Sequence, residues 1–195
     1  MHPITFDKNI AIDGYEFEIN NPANCEGSYV RILDKIYSQL IAMLSHHCKV
    51  LVCMQIYHLH DYSEDNKVFS DFVQKYKKRL KKRFGFTRIG YVWVREQGQS
   101  EPQHYHLALF LDGNKVQCHH GIFKLAEKIW TDWGHPHPSF VPQNSYYNLD
   151  RRDGRILNHV LYHLSYMAKV RTKDEKRPLT VNRYEGSRID QILRN

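Results

Sequence analysis

The sequence predicts an α+β fold, a central antiparallel sheet flanked by helices, on three grounds. Residues 49–57 (KVLVCMQIY), 87–95 (TRIGYVWVR) and 104–111 (HYHLALFL) are short runs rich in β-branched and aromatic residues, the composition of strands. Residues 29–45, 63–84, 120–133 and 155–169 instead repeat apolar side chains at intervals of three and four, which lines one face of a helix. The segments follow one another as strand–helix–strand–strand–helix–strand–helix, an order that builds an antiparallel sheet covered by helices.

Residues 1–28 read as an irregular or short-strand entry. The helix over 29–45 shows Ile32, Ile36, Leu40 and Leu44 at helical spacing, and the strand over 49–57 is apolar enough to be central. Ser63, followed by acidic residues, is a helix start. Val68, Phe69, Phe72, Val73, Tyr76 and Leu80 then form a stripe that runs up to Gly85. The opposite face carries Lys75, Lys77, Lys78, Lys81 and Lys82, either a solvated surface or one that tracks phosphates. The next two strands are joined by EQGQSEPQ, and Asp112-Gly113 ends the second. Gly134 closes the helix over 120–133, residues 138–149 offer a further strand with turns, and residues 155–169 form the last helix. From Arg171 the chain is a basic tail without periodicity. With no repeats or Pro/Gly-rich linkers, residues 1–195 read as one domain.

Lys and Arg total 28 against 21 Asp and Glu, a net charge of +7 that is compatible with a phosphate-rich partner. No apolar run is long enough to span a membrane, and the N-terminus lacks a basic segment followed by an apolar one, so the expected compartment is the cytoplasm. Cysteines at 25, 48, 53 and 118 contain no CxxC spacing and suggest buried thiols in a reducing compartment.

Among 13 histidines, His104 and His106 stand out. On a strand, residues i and i+2 point to the same side, so both imidazoles project together. A divalent ion would want an oxygen as third ligand. Glu96, which closes the preceding strand, is placed to provide it, and Glu101 in the connection is the alternative. The pairs His58/His60 and His135/His137 share the spacing but fall at a strand end and in a Pro-rich loop. Tyr162, Tyr166 and Lys169 stand at i, i+4 and i+7, one face of the last helix. A phenol with a pKa of about 10 becomes a nucleophile only beside a base, a metal or a cation, which Lys169 could supply; the alternative is that the rings pack in the core with Leu157 or Leu161.

Taken together, Glu96 at a strand end, the segment QHYHLALF, and YHLSYMAK after one further helix resemble the HUH endonucleases. Two histidines around a bulky residue and a later helix bearing tyrosine are their pattern. The text YVWVREQ…QHYHLALFL is most similar to replication initiators of filamentous phages and to the related YagK/YfjJ prophage proteins, over roughly residues 48–190.

The resemblance implies an RRM-like, ferredoxin-like core. It also implies a Mg²⁺- or Mn²⁺-dependent enzyme that nicks and joins single-stranded DNA to start rolling-circle replication in a bacterial host. His104, His106 and Glu96 would hold the ion, Tyr166 would form a 5′-phosphotyrosine, and Lys169 would stabilise the phenolate. Host helicase and polymerase would do the rest. The two-tyrosine branch often reads Tyr-x-x-Lys-Tyr-x-x-Lys. Here Ser165 replaces the first lysine, which favours Tyr166 as principal nucleophile and leaves Tyr162 a candidate for a second cut. Lys78, Lys82, Arg171 and Lys173 are expected to contact DNA. A transposase or relaxase with the same site, or a noncatalytic nucleic-acid-binding module, are the alternatives.

Overall fold

The computed structural model describes residues 3–21, 26–97, 103–135, 144–171, 173, 178 and 180–192. Strand β1 (Ile4–Thr5) precedes a hairpin of β2 (Asn9–Ile12) and β3 (Tyr15–Glu18), and β4 (Ser28–Tyr29) returns to pair with β1. Helix α1 (Val30–His46) leads into β5 (Lys49–His58), followed by α2 (Lys67–Phe84), β6 (Gly90–Glu96) and β7 (His104–Asp112). Then come α3 (His120–Asp132), β8 (Tyr146–Asp150), α4 (Gly154–Ser165), a 3-10 turn over Tyr166–Ala168, and β9 (Tyr184–Gly186).

Five strands form one sheet in the order β8-β5-β7-β6-β9, with every neighbour antiparallel. The predicted architecture is therefore observed, an α+β fold with a central antiparallel sheet and helices on both faces. Strand alternation divides the core in two. Val50, Val52 and Met54 of β5, Val92 and Val94 of β6, and Ala108 and Phe110 of β7 pack under α1 and α4. Leu51, Cys53 and Tyr57, Tyr91 and Trp93, and Tyr105, Leu107, Leu109 and Leu111 pack under α2 and α3.

Local chemistry explains the boundaries. Gly85 caps α2 with φ of 68°, a left-handed conformation that glycine adopts without steric cost. At Gly90 a Cβ would come within 2.7 Å of Met43, so the missing side chain is what lets α1 lie close on β6. Asp153 caps α4 by accepting from the backbone N–H of Arg155 and of Ile156.

The entry segment takes the short-strand form, with a regular hairpin turned by Asp13 and Gly14 at φ of 50° and 77°, the positive-φ pair that such turns require. It is tied to α4 by Tyr15, whose hydroxyl donates to Asn158 Oδ1. Two elements differ from expectation. The basic tail supplies an edge strand, β9, against β6. The last α-helix ends at Ser165, four residues before the predicted end. No described helix is long and apolar enough to cross a membrane.

Candidate functional site

Strand parity and register decide which polar side chains meet. His104 and His106 occupy the same face of β7 as Ala108 and Phe110, and Glu96 the same face of β6 as Val92 and Val94. The register sets Glu96 directly across from His104, and Val94 across from His106. Glu96 Oε2 then lies 3.5 Å from His106 Nε2 and 3.7 Å from His104 Nε2. Two ligands bound at about 2.1 Å to one ion sit roughly 3–4 Å apart, so these separations fit a shared metal. One ligand atom from each of the three residues falls within 4.8 Å of the others, and together they form a group able to hold an ion.

Two ammonium groups complete the electrostatics. Lys173 Nζ donates to Glu96 Oε1 at 2.6 Å, and Lys169 Nζ stands 3.7 Å from Oε2. Burial alone would raise the pKa of Glu96. Lys173, followed by His106 and Lys169, outweighs it and holds the carboxyl well below its ordinary range. Burial pulls the Lys173 ammonium down while Glu96 pulls it back up, with a net lowering. Glu96 is thus a carboxylate with one oxygen fixed by Lys173 and the other turned toward the imidazoles, an outer partner orienting a ligand.

Tyr166 reaches this cluster because α4 stops where it does. Ser165 Oγ donates back to the Tyr162 carbonyl at 2.6 Å and accepts from the backbone N–H of Asn20 at 2.7 Å, pinning the helix end to the chain after β3. The following turn is 3-10, in which residues i and i+3 eclipse. Lys169 therefore comes over Tyr166, with Nζ 3.6 Å from the ring centroid, while the ring meets His106 edge-on at 6.4 Å. The tyrosine remains 38% exposed.

The predicted site residues are thus partly gathered. Glu96, His104, His106, Tyr166 and Lys169 come together. Tyr162 is half-buried in α4, and it shares no continuous helical face with Lys169, because the helix ends between them. Lys173, expected on a DNA-contacting surface, is instead 2% exposed and ion-paired with Glu96. That placement corrects the expectation, since a buried ammonium cannot track a strand. Arg171 is exposed. Lys78 and Lys82 are exposed too, but on α2, which packs against the opposite face of the sheet from the triad. Glu101 lies outside the described residues.

One residue was missed. His58, at the end of β5, faces His104 across the sheet, with the two rings stacked at 5.0 Å. Its parity with Val50, Val52 and Met54 was visible in the sequence, but the register that sets it beside His104 was not.

No curated protein and no solved structure matches the chain. The family described as YagK/YfjJ C-terminal domain matches residues 15–180, a span that includes Glu96, His104, His106, Tyr166, Lys169 and Lys173. Because the match covers most of the sequence and all of the gathered site, the chain belongs to the YagK/YfjJ C-terminal domain family.

Proposed function

We propose that this chain is an HUH-type endonuclease that nicks and rejoins single-stranded DNA through a 5′-phosphotyrosine, initiating rolling-circle replication of a phage, prophage or plasmid. The observation that carries the reading is the convergence of a carboxylate and two imidazoles with an exposed tyrosine lying edge-on to one of them. Glu96, His104 and His106 would hold the ion. Two nitrogen donors favour Mn²⁺ over the harder Mg²⁺. A divalent ion there would supply Lewis-acid polarisation of the scissile phosphate.

Tyr166 Oη would form its bond to phosphorus as the O3′–P bond breaks. The phenolic proton passes to solvent and the freed 3′-oxygen takes one up, leaving a primer end for host polymerase. The Lys169 ammonium over the ring stabilises negative charge growing on the phenol. The 5′-phosphotyrosine conserves the phosphodiester energy, so the reverse attack reseals the strand without a nucleotide cofactor. Arg171, exposed just beyond the turn, is the basic residue best placed to meet the strand. Lys78 and Lys82 would be reached only by DNA that wraps the sheet edge.

Incubation with a single strand carrying the element's own origin and Mn²⁺, followed by a denaturing gel, tests the reading. Wild type is expected to give a covalent protein–DNA adduct, and Tyr166→Phe none. Absence of an adduct from wild type with both Mn²⁺ and Mg²⁺ would overturn it, and an adduct from Tyr166→Phe would move the nucleophile to Tyr162.

A further inference from the structure

Beside the triad, between the sheet and the end of α4, lies a cavity of about 340 Å³. Its apolar walls come from Met54 and Ile56 of β5 and Met167 of the 3-10 turn, and His106 and Tyr166 line it as well. Asn20 and His163 add polar groups. His163 does not hang freely. Its Nδ1 is hydrogen-bonded to the Tyr147 hydroxyl at 2.6 Å, and the same hydroxyl lies 3.4 Å from His159 Nε2. Held by the Tyr147 hydroxyl of β8, the ring is fixed at the wall of the cavity, with Nε2 as its second hydrogen-bonding atom. Burial, then His159, lowers the pKa of His163, so near neutral pH it enters hydrogen bonds as an uncharged imidazole.

Apolar walls, a few polar groups and contact with the proposed nucleophile define what fits. A phosphate is unsuited to a site walled by two methionines and an isoleucine, because burying an anion there without a counter-charge is costly. An unstacked base has an apolar face to bury and an edge to hydrogen-bond, and enzymes acting on single strands seat such bases between apolar side chains. We propose that the cavity seats the nucleobase adjoining the scissile phosphate. His163 reads the edge of that base, and Tyr147 is a positioning residue that acts through His163. The inference rests on the nicking reading for the position of the base, since that base neighbours the phosphate that Tyr166 would attack.

Two measurements test it separately. The first needs no chemistry. In EDTA, wild type binds a fluorescein-labelled 20-nucleotide strand of randomised sequence and an abasic strand of equal length, which has the same backbone charge. Wild type is expected to prefer the base-bearing strand by about tenfold. Ile56→Trp, which fills the cavity, is expected to abolish the preference. Asn20→Trp fills it from the other side should Ile56→Trp fail to fold. Equal affinity of wild type for the two strands, or a preference that survives in the folded filling variant, overturns the proposal.

The second measurement captures adducts formed in Mn²⁺ from a randomised pool and sequences the joined strands. One base is expected to be enriched next to the phosphotyrosine, with the enrichment weakened in Tyr147→Phe and altered in His163→Phe. Adducts from wild type with no enriched base overturn the reading role of His163. Absence of any adduct sinks the nicking reading instead, and the binding comparison then still decides whether the cavity takes a base.

Discussion

The two faces of the sheet are built from the same strands and do opposite work. Under α2 and α3 the surface is filled with rings. Phe69 stacks on Tyr105 at 4.1 Å, Phe72 lies 4.7 Å from Tyr57 and 4.9 Å from Trp130, and all five are fully buried. Under α1 and α4 the filling is mostly aliphatic, with Phe17, Tyr37 and Phe110 among it, and it stops short. Where α4 ends at Ser165, the strand ends carry Glu96, His104, His106 and His58 in place of further apolar residues. A single residue shows the division. Tyr105, between the two histidines, points away from them, stacks on Phe69 and donates its hydroxyl to Asn66 Oδ1. The bulky middle residue of the His-x-His segment is an anchor of the fold on the far face, while the ladders to β5 and β6 fix the strand that carries the flanking imidazoles. One face therefore supplies the stability that lets the other leave polar groups under-covered.

Breaking that anchor gives the largest expected effect. Tyr105→Ala removes a fully buried ring and is expected to lower unfolding free energy by about 3–5 kcal/mol. Tyr105→Phe keeps the ring and loses only hydrogen bonds, at about 1–3 kcal/mol. Because β7 is laddered on both sides by β5 and β6, Mn²⁺ affinity of the folded Tyr105→Ala protein is expected to stay within roughly threefold of wild type. Urea unfolding and Mn²⁺ titration on the same samples check both statements. A collapse of metal affinity in the folded protein would show that the two faces are coupled.

The site face carries its own stability cost, and it can be separated from function. Glu96→Gln leaves Lys173 buried without its anion, which is expected to cost about 3–5 kcal/mol. Adding Lys173→Met removes the stranded charge and is expected to recover most of that loss. Neither variant should bind Mn²⁺ measurably. Restored stability without restored binding would show that Lys173 serves the carboxylate. A neutral Glu96→Gln would mean instead that Lys173 swings out to solvent when released.

The aromatic face was legible from composition, and the candidate metal group was legible from period-2 parity plus one acid on the preceding strand. These are local properties of a strand, so one sequence is enough to show them. What stayed hidden depends on contacts far along the chain. Lys173 lies 77 residues from Glu96, and nothing in a patternless basic tail marks it as buried. The end of α4 is set by the Ser165–Asn20 hydrogen bond across 145 residues, while local periodicity continued through Lys169. The position that departs from the two-tyrosine pattern, Ser165, makes that bond, and a lysine could not accept from Asn20. The Asp13-Gly14 hairpin differs, because NIAI and YEFE around an Asp-Gly turn are a local signal for the short strands found there.

Lys169 allows a finer separation within the site itself. Its ammonium stands 3.7 Å from the carboxylate oxygen that a metal would use, and also over the Tyr166 ring. Two unit like charges about 4 Å apart repel by roughly 4 kcal/mol at an effective dielectric of 20, a divalent ion doubles that, and side-chain withdrawal would relieve most of it. Lys169→Met is therefore expected to bind Mn²⁺ about tenfold more tightly while forming the DNA adduct more slowly. Tighter binding with slower chemistry would assign the lysine to the phenolate. Weaker binding would show that it orients Glu96 instead.

The smallest expected effect is a pH dependence spread over both faces. Burial foremost lowers the pKa values of His47, His119, His135 and His163 in the folded protein. Three of them keep aromatic or phenolic company: His135 stacks on Trp130, His119 on Tyr146, and His163 bonds the Tyr147 hydroxyl. The folded-state values lie below the ordinary 6.5, so as pH falls through 6.5 the unfolded chain takes up protons before the native protein does. Stability is then fully present above about pH 6.5 and falls as the pH drops toward the depressed folded-state values. Acid destabilisation is thus expected to begin near pH 6.5, well above the range where ordinary carboxylates titrate. Urea midpoints at pH 7.5, 6.5 and 5.5 measure it. His135→Phe removes a contribution from the aromatic face and His163→Phe one from the site face, so each should flatten the curve in part. A midpoint that is level down to pH 5.5 would mean that these imidazoles reach water and charge freely in the folded protein.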